Sequence, residues 1–179
     1  MVATAIMFLF GAAWLFLGIH QGQFVPGWLH IALGLSGLAL ATWIVTLAVR
    51  GACLHRVAPP RTDEQTVTRR QIRRRFILIS GLEGAAISVA VTVFNLVQRP
   101  DAIGPTIAVI VGLHFLPLAK LFNASIYYAT GFLGCAIGIA GLLISDPLLR
   151  SSFVGLSFGL LLWLTSAAVL VKASRLIRK

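Results

Sequence analysis

Charge is scarce in this sequence. Of 179 residues only 11% are charged and 58% are hydrophobic, where a soluble domain carries about 25% charged residues. That deficit excludes an ordinary water-solvated domain and fits a chain solvated mostly by lipid. Basic side chains are also missing from the whole of the first segment, since no Lys or Arg precedes Arg50. A secretory signal peptide opens on a basic region and ends at a small-residue cleavage site. "MVATAIMFLFGAAWLFLGI" is therefore expected to be a first membrane helix that is retained. Cysteine is scarce too. Cys53 stands in an Arg-rich connection and Cys135 in an apolar run, which rules out a disulfide framework and leaves two free thiols.

Several chemical signatures are absent. No Cys/His cluster has zinc spacing. Neither a Walker A loop nor a Rossmann glycine pattern occurs. His20 and His30 flank one connection, but His114 belongs to the other end. No serine nucleophile stands beside a base. These absences point to no metal and no cofactor, and they put an enzyme behind other readings.

What is present is length in apolar runs. A membrane-spanning helix needs roughly 20 apolar residues. Six segments qualify, at about 2–19, 28–49, 76–97, 103–120, 126–145 and 152–172. Turn chemistry separates most of them: "HQGQFVPG", "QRPDAIGP", "KLFNAS" and "SDPLLRS" carry the Gly, Pro, Asn and Asp that punctuate chains. The expected fold is all-α, a single polytopic membrane domain of six transmembrane helices.

The basic residues then give a direction. Six spans put thirteen of the fifteen Lys and Arg on one side, leaving only Arg99 and Arg150 on the other. Cytoplasmic connections are the ones enriched in Lys and Arg, so both termini are expected in the cytoplasm of a cell (inner) membrane. The connection 50–75 is the richest in arginine, and its Arg69, Arg70, Arg73, Arg74 and Arg75 are placed to meet anionic headgroups. Nucleic acid is not indicated, because no aromatic residues alternate with the arginines for base stacking. Thr62 with Gln65 reads as a capping box, with Asp63 and Glu64 at the positive end of the helix dipole. A helix is expected from about 63 that runs on into the third span.

In lipid, helices associate through small residues and polar contacts. Gly131, Gly134, Gly138, Gly141 and Ser145 clear one face of the fifth span at offsets of three and four. Ser152, Gly155 and Gly159 do so in the sixth. Shorter ridges are Thr4, Gly11 and Gly18 in the first span and Gly27, Gly34, Gly37 and Ala41 in the second. Trp28, Tyr127 and Tyr128 mark interfaces, whereas Trp14, Trp43 and Trp163 lie deeper and read as packing residues.

Few ionisable groups interrupt the spans, and such groups usually face a bundle interior or a cavity. Glu83 lies about 10 Å along the third span from Phe76, and His114 about 9 Å from Lys120 in the fourth, by the helical rise. The two spans run oppositely and are joined by a short connection, so Glu83 and His114 are expected at one depth. Ser80, Ser88, Thr92 and Asn95 extend a polar stripe from Glu83. Pro117 removes an amide beside His114 and marks a helix hinge, while Lys120 can snorkel to the headgroups.

Two function classes follow. In one, Glu83, His114 and the stripe form a path for a small solute or ion, with the pair holding or passing a proton; a homo-oligomer then widens a bundle that is narrow as a monomer. In the other, the chain is a non-catalytic scaffold or accessory subunit acting through its glycine ridges and Arg-rich connection, and Glu83–His114 is a structural pair.

The run "VGLHFLPLAKLF", followed by "YYATG", resembles a segment of small uncharacterised bacterial multi-spanning membrane proteins. The resemblance covers the fourth and fifth spans. It implies an all-helical membrane fold and carries over no known function and no site residues.

Overall fold

The computed structural model describes residues 2–21 and 63–177, with side chains over 7–19 and 70–172. Every described element is helical. Helix α1 is Val2–Gln21 and α2 is Asp63–Leu96. A 3-10 turn at Pro100–Ala102 leads into α3, Ile103–Phe122. Then come α4, Ile126–Leu143, and α5, Pro147–Ile177. The expected second span at 28–49, with its glycine ridge, Trp28 and Trp43, lies outside the described residues, as do His30, Cys53 and the expected Thr62 cap. Helix α2 starts at Asp63 and runs unbroken into the third span.

Four stretches are long and apolar enough to cross a membrane: Arg70–Leu96, Pro100–Phe122, Ile126–Leu143 and Pro147–Lys172. In α1 the stretch Met7–Ile19 is apolar but shorter. Large aliphatic side chains stand on the outside of these helices, among them Leu82, 74% exposed, and Leu143, 79% exposed. So much contiguous apolar surface has no place in water. The chain is an α-helical membrane protein.

Local chemistry explains the helix ends. Gln98 (φ 56) and Asn123 (φ 49) adopt the left-handed conformation that closes a helix. The following amides reach back five residues, Arg99 to the Phe94 carbonyl at 2.8 Å and Ala124 to that of Ala119 at 3.0 Å, which satisfies carbonyls left over at the last turn. Helix α5 opens on Asp146, whose carboxylate accepts from the Leu149 amide at 2.7 Å, with Pro147 at the first helical position where its missing N–H is harmless. Pro117 sits inside α3, which continues through it to Phe122.

The helices pack in the spatial order α2–α3–α4–α5–α1, with α3 also touching α5. The core between them holds Ala108, Val111, Phe115 and Leu118 of α3, Tyr127 of α4, Val154, Phe158 and Leu162 of α5, and Met7 of α1. Glycines set the spacing. A Cβ on Gly138 would lie 2.6 Å from the Pro105 carbonyl oxygen and 2.5 Å from a Val109 methyl. On Gly112 it would meet the Cys135 amide at 2.7 Å, so α3 and α4 touch backbone to backbone. Gly155 and Gly18 do the same for α5 and α1, with a Cβ on Gly155 reaching 2.5 Å from the Gly18 Cα. Phe8 stacks on Trp163 at 5.1 Å, and Trp14 meets Phe158 edge-on at 5.3 Å. The Trp163 indole N–H donates to the Phe8 carbonyl at 3.3 Å.

Backbone contact of this kind leaves no room for a side chain. Gly138→Leu is expected to lower the unfolding free energy by about 3 kcal/mol, the upper end for an overpacked core. Gly104→Ala, whose Cβ would meet only the Trp14 ring at 3.8 Å, is expected to leave it unchanged. Unfolding of both variants by denaturing detergent in mixed micelles, followed by circular dichroism, checks the contrast.

Candidate functional site

Glu83 and His114 meet. The inward face of α2 carries Phe76, Ile79, Ser80, Glu83 and Ile87, and α3 packs along it. The short connection 97–102 makes the two helices antiparallel neighbours, and the fixed helical rise brings the two side chains to one level. Glu83 Oε2 lies 3.2 Å from His114 Nδ1, and the side chains are 20% and 10% exposed. The separation is that of an ion pair, yet Nδ1 is buried without a well-aligned hydrogen bond. A carboxylate and an imidazole so placed can exchange a proton near neutral pH.

The pair stands between two hollows. On the bundle side is a cavity of about 310 Å³ whose wall includes Met7, Phe10, Phe76, Ser80, Phe115 and Leu162. On the outer side is a crevice of about 390 Å³ between α2 and α3, walled by Ile79, Leu82, Ala86, Ile110, Leu113 and Pro117. Both linings are mostly apolar, so Glu83 and His114 are the marked exceptions. Among the described residues no three His, Cys, Asp or Glu side chains gather as metal ligands would.

The polar stripe of α2 divides. Ser80 faces the inner cavity beside Glu83. Ser88, Thr92 and Asn95 face outward and donate to carbonyls of their own helix, to Gly84 at 2.9 Å, Ser88 at 2.9 Å and Val91 at 2.8 Å. They do not join the pair. Their face includes Gly81 and Gly84, where an added Cβ would meet nothing within 4 Å among the described residues. Pro117 borders the outer crevice one turn after His114. Arg70, Arg73, Arg74 and Arg75 are exposed where the apolar stretch of α2 begins, and of Arg69 only the backbone is described. Gly131, Gly134, Gly138, Gly141, Gly155 and Gly159 are all buried at helix contacts.

Two clusters escaped the sequence reading. At the end of the bundle remote from Lys120, Arg150 is 4% exposed. Its guanidinium donates to the Ile144 carbonyl through Nε at 2.9 Å and Nη2 at 2.6 Å, and to the Asp101 carboxylate through Nη1. Asp101 also pairs with Arg99 at 3.5 Å. The cation thus ties the connection before α3 to the connection before α5. About one turn into α4, Thr130 is hydrogen-bonded to Thr165 of α5 at 2.7 Å, both buried. One hydroxyl donates across and the other donates to the carbonyl four residues back on its own helix. The only hint in the sequence is that Thr130 and Thr165 stand in otherwise apolar stretches.

A family model matches residues 78–172, more than half of the chain, from the first turns of the α2 membrane stretch to near the end of α5. The chain belongs to the family of unknown function DUF7010. The matched region of this DUF7010 protein contains Glu83, His114, Asp101 and Arg150, and the family's description names no activity. No curated protein and no solved structure matches the chain.

Removing Arg150 strands the Asp101 carboxylate and the Ile144 carbonyl. Loss of one partner from a wholly buried pair costs about 3–5 kcal/mol, and Asp101 is 22% exposed. Arg150→Ala is therefore expected to destabilise by about 2 kcal/mol, below that range. Arg150→Lys is expected to recover only part of it, because an ammonium cannot reproduce the forked donors. Thermal unfolding of the purified variants measures both.

Proposed function

We propose that this protein moves a small solute or ion across a membrane by way of the inner cavity, with Glu83 and His114 binding and releasing a proton in the cycle. The observation that carries the reading is the loosely aligned carboxylate–imidazole pair on the wall of a mainly apolar cavity. Ionisable groups held at membrane depth are expensive and mark ion or proton routes. Ser80, on the same wall, gives the route a third polar group. Ser88, Thr92 and Asn95, bonded to their own helix on the outer face, are left to helix contacts.

The membrane arrangement proposed with it is six spans, with 28–49 supplying the second and both termini on the cytoplasmic side of the cell (inner) membrane. The distribution of charge supports it. Arg70, Arg73, Arg74 and Arg75 open the membrane stretch of α2, and Lys120 and Lys172 close α3 and α5 at the same end, while Arg99 and Arg150 lie at the other. Lys and Arg mark the cytoplasmic side. A second reading, a scaffold or accessory subunit, draws on the outward face of α2 at Gly81 and Gly84, open among the described residues. That face suits another helix or a second copy of the chain.

Proton flux into liposomes containing the purified protein separates the two. Wild type is expected to conduct protons, and Glu83→Gln and His114→Ala are expected to fall to the level of empty liposomes while remaining monodisperse and helical. Unchanged flux in both variants would remove the pair from the route. Misfolding of both would make it a structural pair and favour the scaffold.

A further inference from the structure

The outer crevice between α2 and α3 changes character along its length. Its apolar part, beside Glu83 and His114, is walled by Leu82, Ala86, Ile110 and Leu113. At Ile79 and Pro117 it continues into a second hollow of about 460 Å³ lined by Gln71, Arg75 and Lys120 with Ile72 and Leu121. The two cations come from different helices and converge on one groove. Neither has an acidic partner among the described residues, whose ion pairs are Arg99–Asp101, His114–Glu83 and Arg150–Asp101.

Dimensions and chemistry fit one kind of occupant. From Arg75 to Ala86 the groove follows about 16 Å of helix, roughly half of a 30 Å hydrocarbon core, hence about one leaflet. Two cations and an amide at the interface end match a phosphate, which Arg and Lys bind by charge-assisted hydrogen bonds. The apolar remainder matches an acyl chain. Pro117 has no amide hydrogen to offer, so the Leu113 carbonyl at the crevice wall loses its usual helical partner.

We propose that this crevice binds one anionic phospholipid, its phosphate between Arg75 and Lys120 and one acyl chain along Ile79, Leu82 and Leu113. The chain then lies behind the Glu83–His114 pair and seals it from the bilayer, leaving the inner cavity as its access. The site differs from general attraction to basic residues because Arg70, Arg73 and Arg74 lie on another face of α2, beside Ile77 and Leu78.

The test is native mass spectrometry of the full chain in detergent, titrated with phosphatidylglycerol or phosphatidylcholine. Wild type is expected to retain one phosphatidylglycerol in preference to phosphatidylcholine, with inorganic phosphate unable to displace it. The double variant Arg75→Gln/Lys120→Gln is expected to hold it roughly thirtyfold more weakly, the effect of removing two basic residues at a headgroup. The charge-matched control Arg70→Gln/Arg73→Gln is expected to retain it. Leu113→Trp, at a residue 53% exposed, fills the apolar part with both cations intact and is expected to expel the lipid; it carries the test alone if the double variant does not fold. Equal weakening in the control pair, no preference for phosphatidylglycerol, or displacement by phosphate would each overturn the site. So would absence of any retained lipid in wild type, the result if residues 22–62 or a second copy cover the groove.

Discussion

The architecture depends on backbones touching. Water drives no apolar surface together inside a bilayer, so a helix bundle there must gain its cohesion from dispersion contacts and a few polar bonds. Dispersion falls off steeply with separation, and bulky side chains hold helices apart. Gly112, Gly134 and Gly138 bring α3 and α4 into backbone contact, and Gly11, Gly18, Gly155 and Gly159 do so for α1 and α5. Once those pairs are fixed, α4 lies against α5 through Gly134 and Phe158 and through Gly141 and Val154. The Thr130–Thr165 bond and the Arg150 cluster then settle register between elements already in place.

Helix α2 stands apart from this regime. Among the described residues it meets the bundle along one face, mainly through α3, and none of its membrane stretch is fully buried. Its inner face carries Glu83 and its outer face the self-bonded Ser88, Thr92 and Asn95. The ionisable pair thus sits at the junction between a glycine-packed core and a peripheral helix. A contact at such a junction can change without unpacking the core, as the proposed transport cycle would require.

Much of this was legible in the sequence for geometric reasons. Helical rise is constant and the connection after Leu96 is short, so counting from Phe76 and from Lys120 placed Glu83 and His114 at one depth. Glycine spacing in the fifth span marked the face of α4 that packs. Periodicity gives a face but not its neighbour, which is why Ser80 and Ser88 read as one stripe although they look in different directions. Gly104, Ala108 and Gly112 recur every four residues in α3, a small-residue ridge the sequence reading passed over. Arg150 read as an ordinary external charge, because its partner Asp101 is 49 positions away and lies in a connection, where no repeat links the two.

The Arg150 cluster has a consequence for how the chain is made. Asp101 and Arg150 lie at the same end of the bundle, and Asp101 emerges first during synthesis. When the α4–α5 hairpin follows, its arginine finds a carboxylate already at that end of the bundle. Without it, the buried guanidinium would be left there as an unpaired charge, costly wherever water is scarce. The order of residues along the chain thus doubles as an order of assembly, with the acid as the landing point for the base.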